Sequence, residues 1–285
     1  MSDNTLKNQN NPFNATDLLT YANLQIAAEA LYGLLGKEAG LIIDDGCSSA
    51  LVGKGFINSL TDGNDHTSKF TTTQAEQFVQ NWKVVQHIAN TASGFSGTLF
   101  ENIHTGELVL SFRSTEFIED YIRDNIATNT YEIFKTGWAW GQIADMERWF
   151  LSLQDNGLIP DNQQITVTGY SLGGHLATAF HILHQNENLI KNTLTFNGAG
   201  VGSMGGDDIT TDKELRNAIN NFSNCHKNGV GHLLTGKVTS SQYSLSVADF
   251  YNKIRTSLKE VLDSIGNNTD ISQYIVELEK LYSYC

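Results

Sequence analysis

The stretch Val167-Thr168-Gly169-Tyr170-Ser171-Leu172-Gly173-Gly174-His175-Leu176-Ala177 constrains this chain more than any other. It holds Gly-x-Ser-x-Gly, with Gly169 and Gly173 on either side of Ser171. Ahead of it, Gln164 to Thr168 is β-branched and alternating, which predicts a strand. Behind it, Leu176, Ala179, Phe180 and Leu183 recur at helical spacing and predict a helix from Leu172 to Gln185. A strand that turns straight into a helix holds its apex residue in a strained conformation. It needs glycine wherever a side chain would strike the neighbouring strand or helix. The spacing therefore predicts an exposed Ser171 hydroxyl, with the backbone N–H groups that follow directed at whatever it meets. The plainer alternative is a glycine-rich turn around a buried serine, and the flanking strand and helix weigh against it.

The surrounding pattern predicts an α/β fold. Leu18, Leu19, Tyr21, Leu24, Ile26, Ala27, Leu31, Leu34 and Leu35 suggest a buried helix from Asp17 to Leu35, ended by Gly36. Residues 40–69 read as irregular, and Thr73 to His87 as helical. Residues 96–103 and 107–112 form an expected hairpin around His104-Thr105-Gly106. Residues 138–155 read as an amphipathic helix carrying Trp138, Ile143, Met146, Trp149, Phe150 and Leu153. A short strand is expected at 193–197, and helices at 214–222, 247–265 and 271–284. Strands alternating with helices imply a mixed, mostly parallel sheet covered on both faces. The organisation expected is a disordered lead-in at 1–14, an α/β core at 15–210 and a helical region at 211–285.

Composition narrows the chemistry. The 285 residues suffice for one α/β domain with an appendage. The net charge of −13 opposes nucleic-acid binding, which needs a basic face, and disfavours adsorption to anionic membranes. Cys47, Cys225 and Cys285 are odd in number and lack metal-ligand spacing, so neither a disulfide framework nor a metal site is expected. No apolar run reaches about 18 residues, so no transmembrane helix is expected. The polar N-terminus lacks the basic and apolar regions of a signal peptide. That leaves a cytoplasmic location, or export by a route that reads another address.

Leu108-Val109-Leu110-Ser111-Phe112-Arg113-Ser114-Thr115, followed in order by the Ser171 segment, resembles the class 3 lipases, which are α/β-hydrolases. Ile118-Glu119-Asp120-Tyr121-Ile122, Gly137-Trp138 and Phe196-Asn197-Gly198-Ala199-Gly200-Val201-Gly202 are similar to further parts of that pattern. The likeness spans roughly residues 96–204. It implies an α/β-hydrolase-like sheet, Ser171 as nucleophile, and an oxyanion hole from Thr115 and the backbone N–H of Leu172. Ser114 stands where the family carries glycine, and Arg113 is expected to bridge the loop to an acid rather than to act chemically.

A serine nucleophile needs a base and an orienting acid, in the α/β-hydrolase order serine, acid, histidine. The family's acid-bearing loop has no counterpart here. Asp207 and Asp208 are candidates for the acid, although a solvated turn or helix caps is the favoured reading of the pair. Asp249 and Asp263 fall in expected helices, with no histidine after them. For the base, His232 lies in a loop-like stretch, and His226 follows Cys225 where a helix cap is as good a reading. Asp208 and His232 complete the expected triad. A competing expectation places the true acid and base beyond Cys285, with 211–285 an insertion. His175 is excluded as base by the family's order and reads as a pocket residue, while His181 and His184 read as a helix-surface pair.

The expectation is a serine hydrolase cleaving carboxylic esters, of triacylglycerol lipase or phospholipase A1 type, needing no cofactor or metal. A lipid or small ester is the expected partner, with transient contact to a lipid interface through the helices after 211 or the 40–69 region. The alternative is a catalytically incomplete hydrolase-fold fragment or binding module.

Overall fold

A computed structural model describes residues 13–32, 42–44, 51–64, 68–89, 91, 93–114, 138–200 and 213. The expected C-terminal helices therefore lie outside the described residues, as do Thr115, Asp207, Asp208, His226, His232, Asp249 and Asp263.

The element order is α1 (Ala15–Ala28), β1 (Ile42–Asp44), α2 (Gly53–Asp62), α3 (Thr72–Phe78), β2 (Trp82–Ile88), β3 (Gly97–Asn102), β4 (Leu108–Phe112), α4 (Trp140–Asp155), β5 (Ile165–Tyr170), α5 (Leu172–His184) and β6 (Ile190–Phe196). The six strands form one sheet in sequence order. The first four run as an antiparallel meander, and β4, β5 and β6 are parallel. The described sheet is thus mixed, with its parallel part confined to the three strands around the serine. Helix α4 connects β4 to β5, and α5 connects β5 to β6, as parallel pairing requires.

Two cores flank the sheet. Leu24, Ala27 and Ala28 of α1, Phe56 and Leu60 of α2, and Phe78 of α3 pack with Val84, Phe100 and Val109 on one face. On the other, Phe112 meets Phe180 of α5, and Phe150 of α4 meets the same ring edge-on. A bulge in β2 assigns its residues to these faces: Val84 pairs with Phe100, but Gln86 pairs with Leu99. Gln86 consequently accepts a hydrogen bond from the Trp149 indole on the α4 side, at 2.9 Å.

Four sequence expectations change. The first helix ends at Ala28 rather than Leu35, and Glu29 is its cap. Its start is set by a capping box: Asn14 accepts from the Asp17 N–H, and the Asp17 carboxylate accepts from the Asn14 N–H. Leu18 and Leu19 are exposed, Leu19 at 60 %, so the buried stripe is narrower than the leucine count implied. The 40–69 region, expected to be irregular, contains β1 and α2, where Phe56 and Leu60 stand four apart and bury one short face. The expected helix over 73–87 is α3 followed by β2. Phe78, Trp82 and Val85 satisfy helical spacing, but Trp82-Lys83-Val84-Val85 is rich in β-formers, and pairing with β3 decides the outcome. The hairpin, the long helix before the serine, and the strand-serine-helix segment all form as expected.

Candidate active site

Strand β5 is a buried centre strand until its last residue, Tyr170, which emerges to 41 % exposure beside the half-buried Ser171. Ser171 has φ 52° and ψ −116°, a left-handed conformation that costs a non-glycine residue about 1–3 kcal/mol. Three backbone hydrogen bonds hold it there. Its N–H donates to the Phe196 carbonyl at 3.1 Å, and its own carbonyl accepts from the N–H groups of Ala199 at 2.9 Å and His175 at 3.2 Å. The bonds from β6 and its exit loop mean that the strained residue is fixed by the next strand as well as by its own helix.

The glycines around it are dictated by close approach. A Cβ on Gly169 would stand 2.1 Å from the Gly173 carbonyl oxygen, and one on Gly173 would stand 2.2 Å from the Phe112 carbonyl oxygen. A Cβ on Gly174 would approach the Gly198 Cα to 2.8 Å. The helix N-terminus is thereby pressed onto the exits of β4 and β6. Leu172 opens α5, so its N–H lies in the first turn, where no helical carbonyl is available to accept it. Its side chain is buried, so only its backbone is available at this point.

The exit of β4 comes close to the same point and is tied down twice. The Arg113 N–H donates to the Ser96 carbonyl at 3.1 Å. Ser114 donates its N–H to Glu29 Oε1 at 2.9 Å and its hydroxyl to Glu29 Oε2 at 2.7 Å. The neighbouring loop is fixed by buried Asp145 of α4, whose Oδ2 accepts from the hydroxyls of Thr91 at 2.5 Å and Ser93 at 2.6 Å. Glu29 and Asp145 carry no sequence signal for these roles. Each meets partners far away in the chain, and helix-borne carboxylates ordinarily read as solvated.

His175 lies under the elbow, fully buried. Its Nε2 accepts from the Ala139 N–H at 3.1 Å, which leaves Nδ1 as the N–H that donates to the Gly200 carbonyl at 2.5 Å. Burial, partly opposed by that carbonyl, lowers its pKa to about 4. With both ring nitrogens engaged by backbone, His175 joins the start of α4 to the loop after β6. It does not present a free nitrogen to Ser171, in keeping with its exclusion as base.

The reading of His181 and His184 as a surface pair is half right. His181 is exposed and bonds to the Thr193 hydroxyl. His184 is buried against Phe150 and Phe180, with Nε2 2.9 Å from Glu147 and Nδ1 2.7 Å from Glu187. Burial opposes its protonation, but the two carboxylates overcome it and raise its pKa to about 9. The correction has a simple cause: α4 packs over the end of α5 and brings Glu147 with it. Among the described residues no group of three histidine, cysteine, aspartate or glutamate side chains is placed to hold a metal ion. No described helix is long and apolar enough to cross a membrane.

Of the sequence-derived site, Ser171 and Leu172 are placed, and the residue before Thr115 is placed; Thr115, Asp208 and His232 lie outside the described residues. No protein-family profile matches the chain, and no curated protein matches it. A crystal structure of a lipase from Rhizopus microsporus var. chinensis aligns with a TM-score of 0.34 and 15 % identity, covering 64 % of this chain. The chain spans 55 % of the length of that structure.

Proposed function

We propose that this chain is a serine hydrolase acting on carboxylic esters, with lipid esters of the triacylglycerol or phospholipid class as substrates. The observation that carries the reading is Ser171 itself. A strained serine stands at the end of a buried strand, ahead of a helix N-terminus, with glycines at each point of backbone contact. Strain of this kind persists only where the surroundings over-determine it, and here backbone bonds from two directions do so.

In the proposed reaction the Ser171 hydroxyl attacks the ester carbonyl while a base takes its proton. The carbonyl oxygen becomes an oxyanion, which accepts hydrogen bonds donated by the Leu172 N–H and by Thr115. Collapse expels the alcohol, which receives the proton from the base, and leaves an acyl group on Ser171. Water then attacks that ester with the same base assisting, which releases the acid and restores the serine. Asp208 and His232 are the proposed acid and base.

Labelling of the full chain with a fluorophosphonate probe, followed by peptide mapping, tests this. Such probes react rapidly only with an activated serine. Labelling at Ser171 that disappears in Ser171→Ala supports the reading, and His232→Ala then asks whether that histidine is the base. A folded chain that stays unlabelled overturns the claim of a working hydrolase and leaves a binding module.

A further inference from the structure

We infer that Glu29 is a positioning residue for the oxyanion side of the site, acting through Ser114; the inference rests on the hydrolase reading of Ser171. Glu29 caps α1, 85 positions before its partner, and is only 2 % exposed. Its carboxylate is ringed by donors. Oε1 accepts from the Ser114 N–H at 2.9 Å and the Gln25 amide at 2.5 Å, and Oε2 accepts from the Ser114 hydroxyl at 2.7 Å and the Asn64 amide at 3.4 Å. A buried carboxylate that accepts from several donors is held in one place, and it fixes the donors in return.

Ser114 is the first residue past the Arg113 link to Ser96, and it precedes Thr115 in the chain. Two bonds to one residue, one from main chain and one from side chain, set both the direction of the Ser114 peptide and its χ1. Because the Ser114 N–H is committed to Glu29, it is not a donor to substrate. The same bonds give a reason for serine at 114: glycine would supply the N–H but not the hydroxyl. Oxyanion stabilisation depends on donors already being aimed before charge develops, so loosening this turn lowers the rate more than it weakens binding.

The test compares the full-length chain with Glu29→Gln and Ser114→Ala. Two quantities are read: the rate of fluorophosphonate labelling at Ser171, and kcat and KM on a short-chain p-nitrophenyl ester. Glutamine replaces one acceptor oxygen by an NH2 that faces donors, so Glu29→Gln is expected to lower the labelling rate and kcat about tenfold with KM nearly unchanged. Ser114→Ala removes only the hydroxyl bond and is expected to lower both about threefold, with the same split. Labelling at the wild-type rate in folded Glu29→Gln overturns the inference alone. If that variant does not fold, Ser114→Ala decides, and an unchanged rate overturns the inference. A rise in KM with kcat unchanged also overturns it, because it assigns Glu29 to substrate binding. An unlabelled wild-type chain overturns the hydrolase reading, and the positioning role with it.

Discussion

His184 Nε2 lies 2.9 Å from Glu147 Oε1, and both side chains are almost fully buried between α4 and α5. A cation in that position needs its partners, and Glu187 at 2.7 Å supplies the second. The folded pKa is about 9, against about 6.5 for an unfolded histidine. The stabilisation is therefore fully present below pH 6.5 and is lost as pH rises through 9. At about 1.4 kcal/mol per pKa unit it is on the order of 3 kcal/mol. Melting temperature should fall between pH 7 and 9.5 in the wild type, and the slope should flatten in His184→Gln, which cannot titrate. An equal slope in both proteins would remove His184 as its cause.

His175 and His87 act at the other end of the pH scale. Burial lowers His175 to about 4; burial, with the Arg113 charge added, lowers His87 to about 3. Each is neutral in the folded chain and would charge near pH 6.5 when unfolded. Their contribution is present above about pH 6.5 and is lost as pH falls through the folded values. Between pH 8 and 5 the ring C–H resonances of both should stay fixed. Titration of His175 near pH 6.5 would contradict its two backbone bonds.

A Cβ on Gly169 would strike the Gly173 carbonyl, and one on Gly173 would strike the Phe112 carbonyl. Neither obstacle is a flexible side chain, so the backbone itself must move. Gly169→Ala and Gly173→Ala should each destabilise by about 3 kcal/mol or more, at the upper end of overpacking costs. Alanine at Gly106 or Gly157 meets no atom nearby and should cost only the strain of a positive φ. Denaturant melts of the four variants compare the two classes directly, and equal losses would rule out the steric account.

At Ser171 itself, conformation and chemistry can be separated. Glycine occupies φ 52°, ψ −116° without the penalty a side chain incurs there. Ser171→Gly and Ser171→Ala should both abolish labelling, but the glycine variant should be the more stable by about 1 kcal/mol. A calorimetric ranking with alanine the more stable would argue against strain at the elbow.

The parts legible in the sequence are those whose determinants are local. Gly169, Ser171 and Gly173 announce the turn because the constraint acts within five residues, and the β4 hairpin is visible in its alternation and glycine turn. Residues 73–87 misled because α3 runs almost directly into β2, and the strand prevails only through its pairing with β3. Glu29 and Glu147 could not be found from sequence. Their partners, Ser114 and His184, are 85 and 37 residues away, and a carboxylate on a helix looks the same whether it meets water or a buried donor. For the same reason the first helix appeared too long: leucines continue past Ala28, but Glu29 turns inward and ends it.

The contact between Gly173 and the Phe112 carbonyl has a bearing on how this chain can drift through sequence space. It is main chain against main chain, so the spacing between the serine and the β4 exit is gauged by atoms that every residue type possesses. Leucines, valines and aromatics of both cores can be exchanged for others of similar bulk without resetting that gauge. Nearly all the tolerance is therefore spent away from three glycines, and a lineage could keep the shape of this corner long after the rest of its spelling had been rewritten.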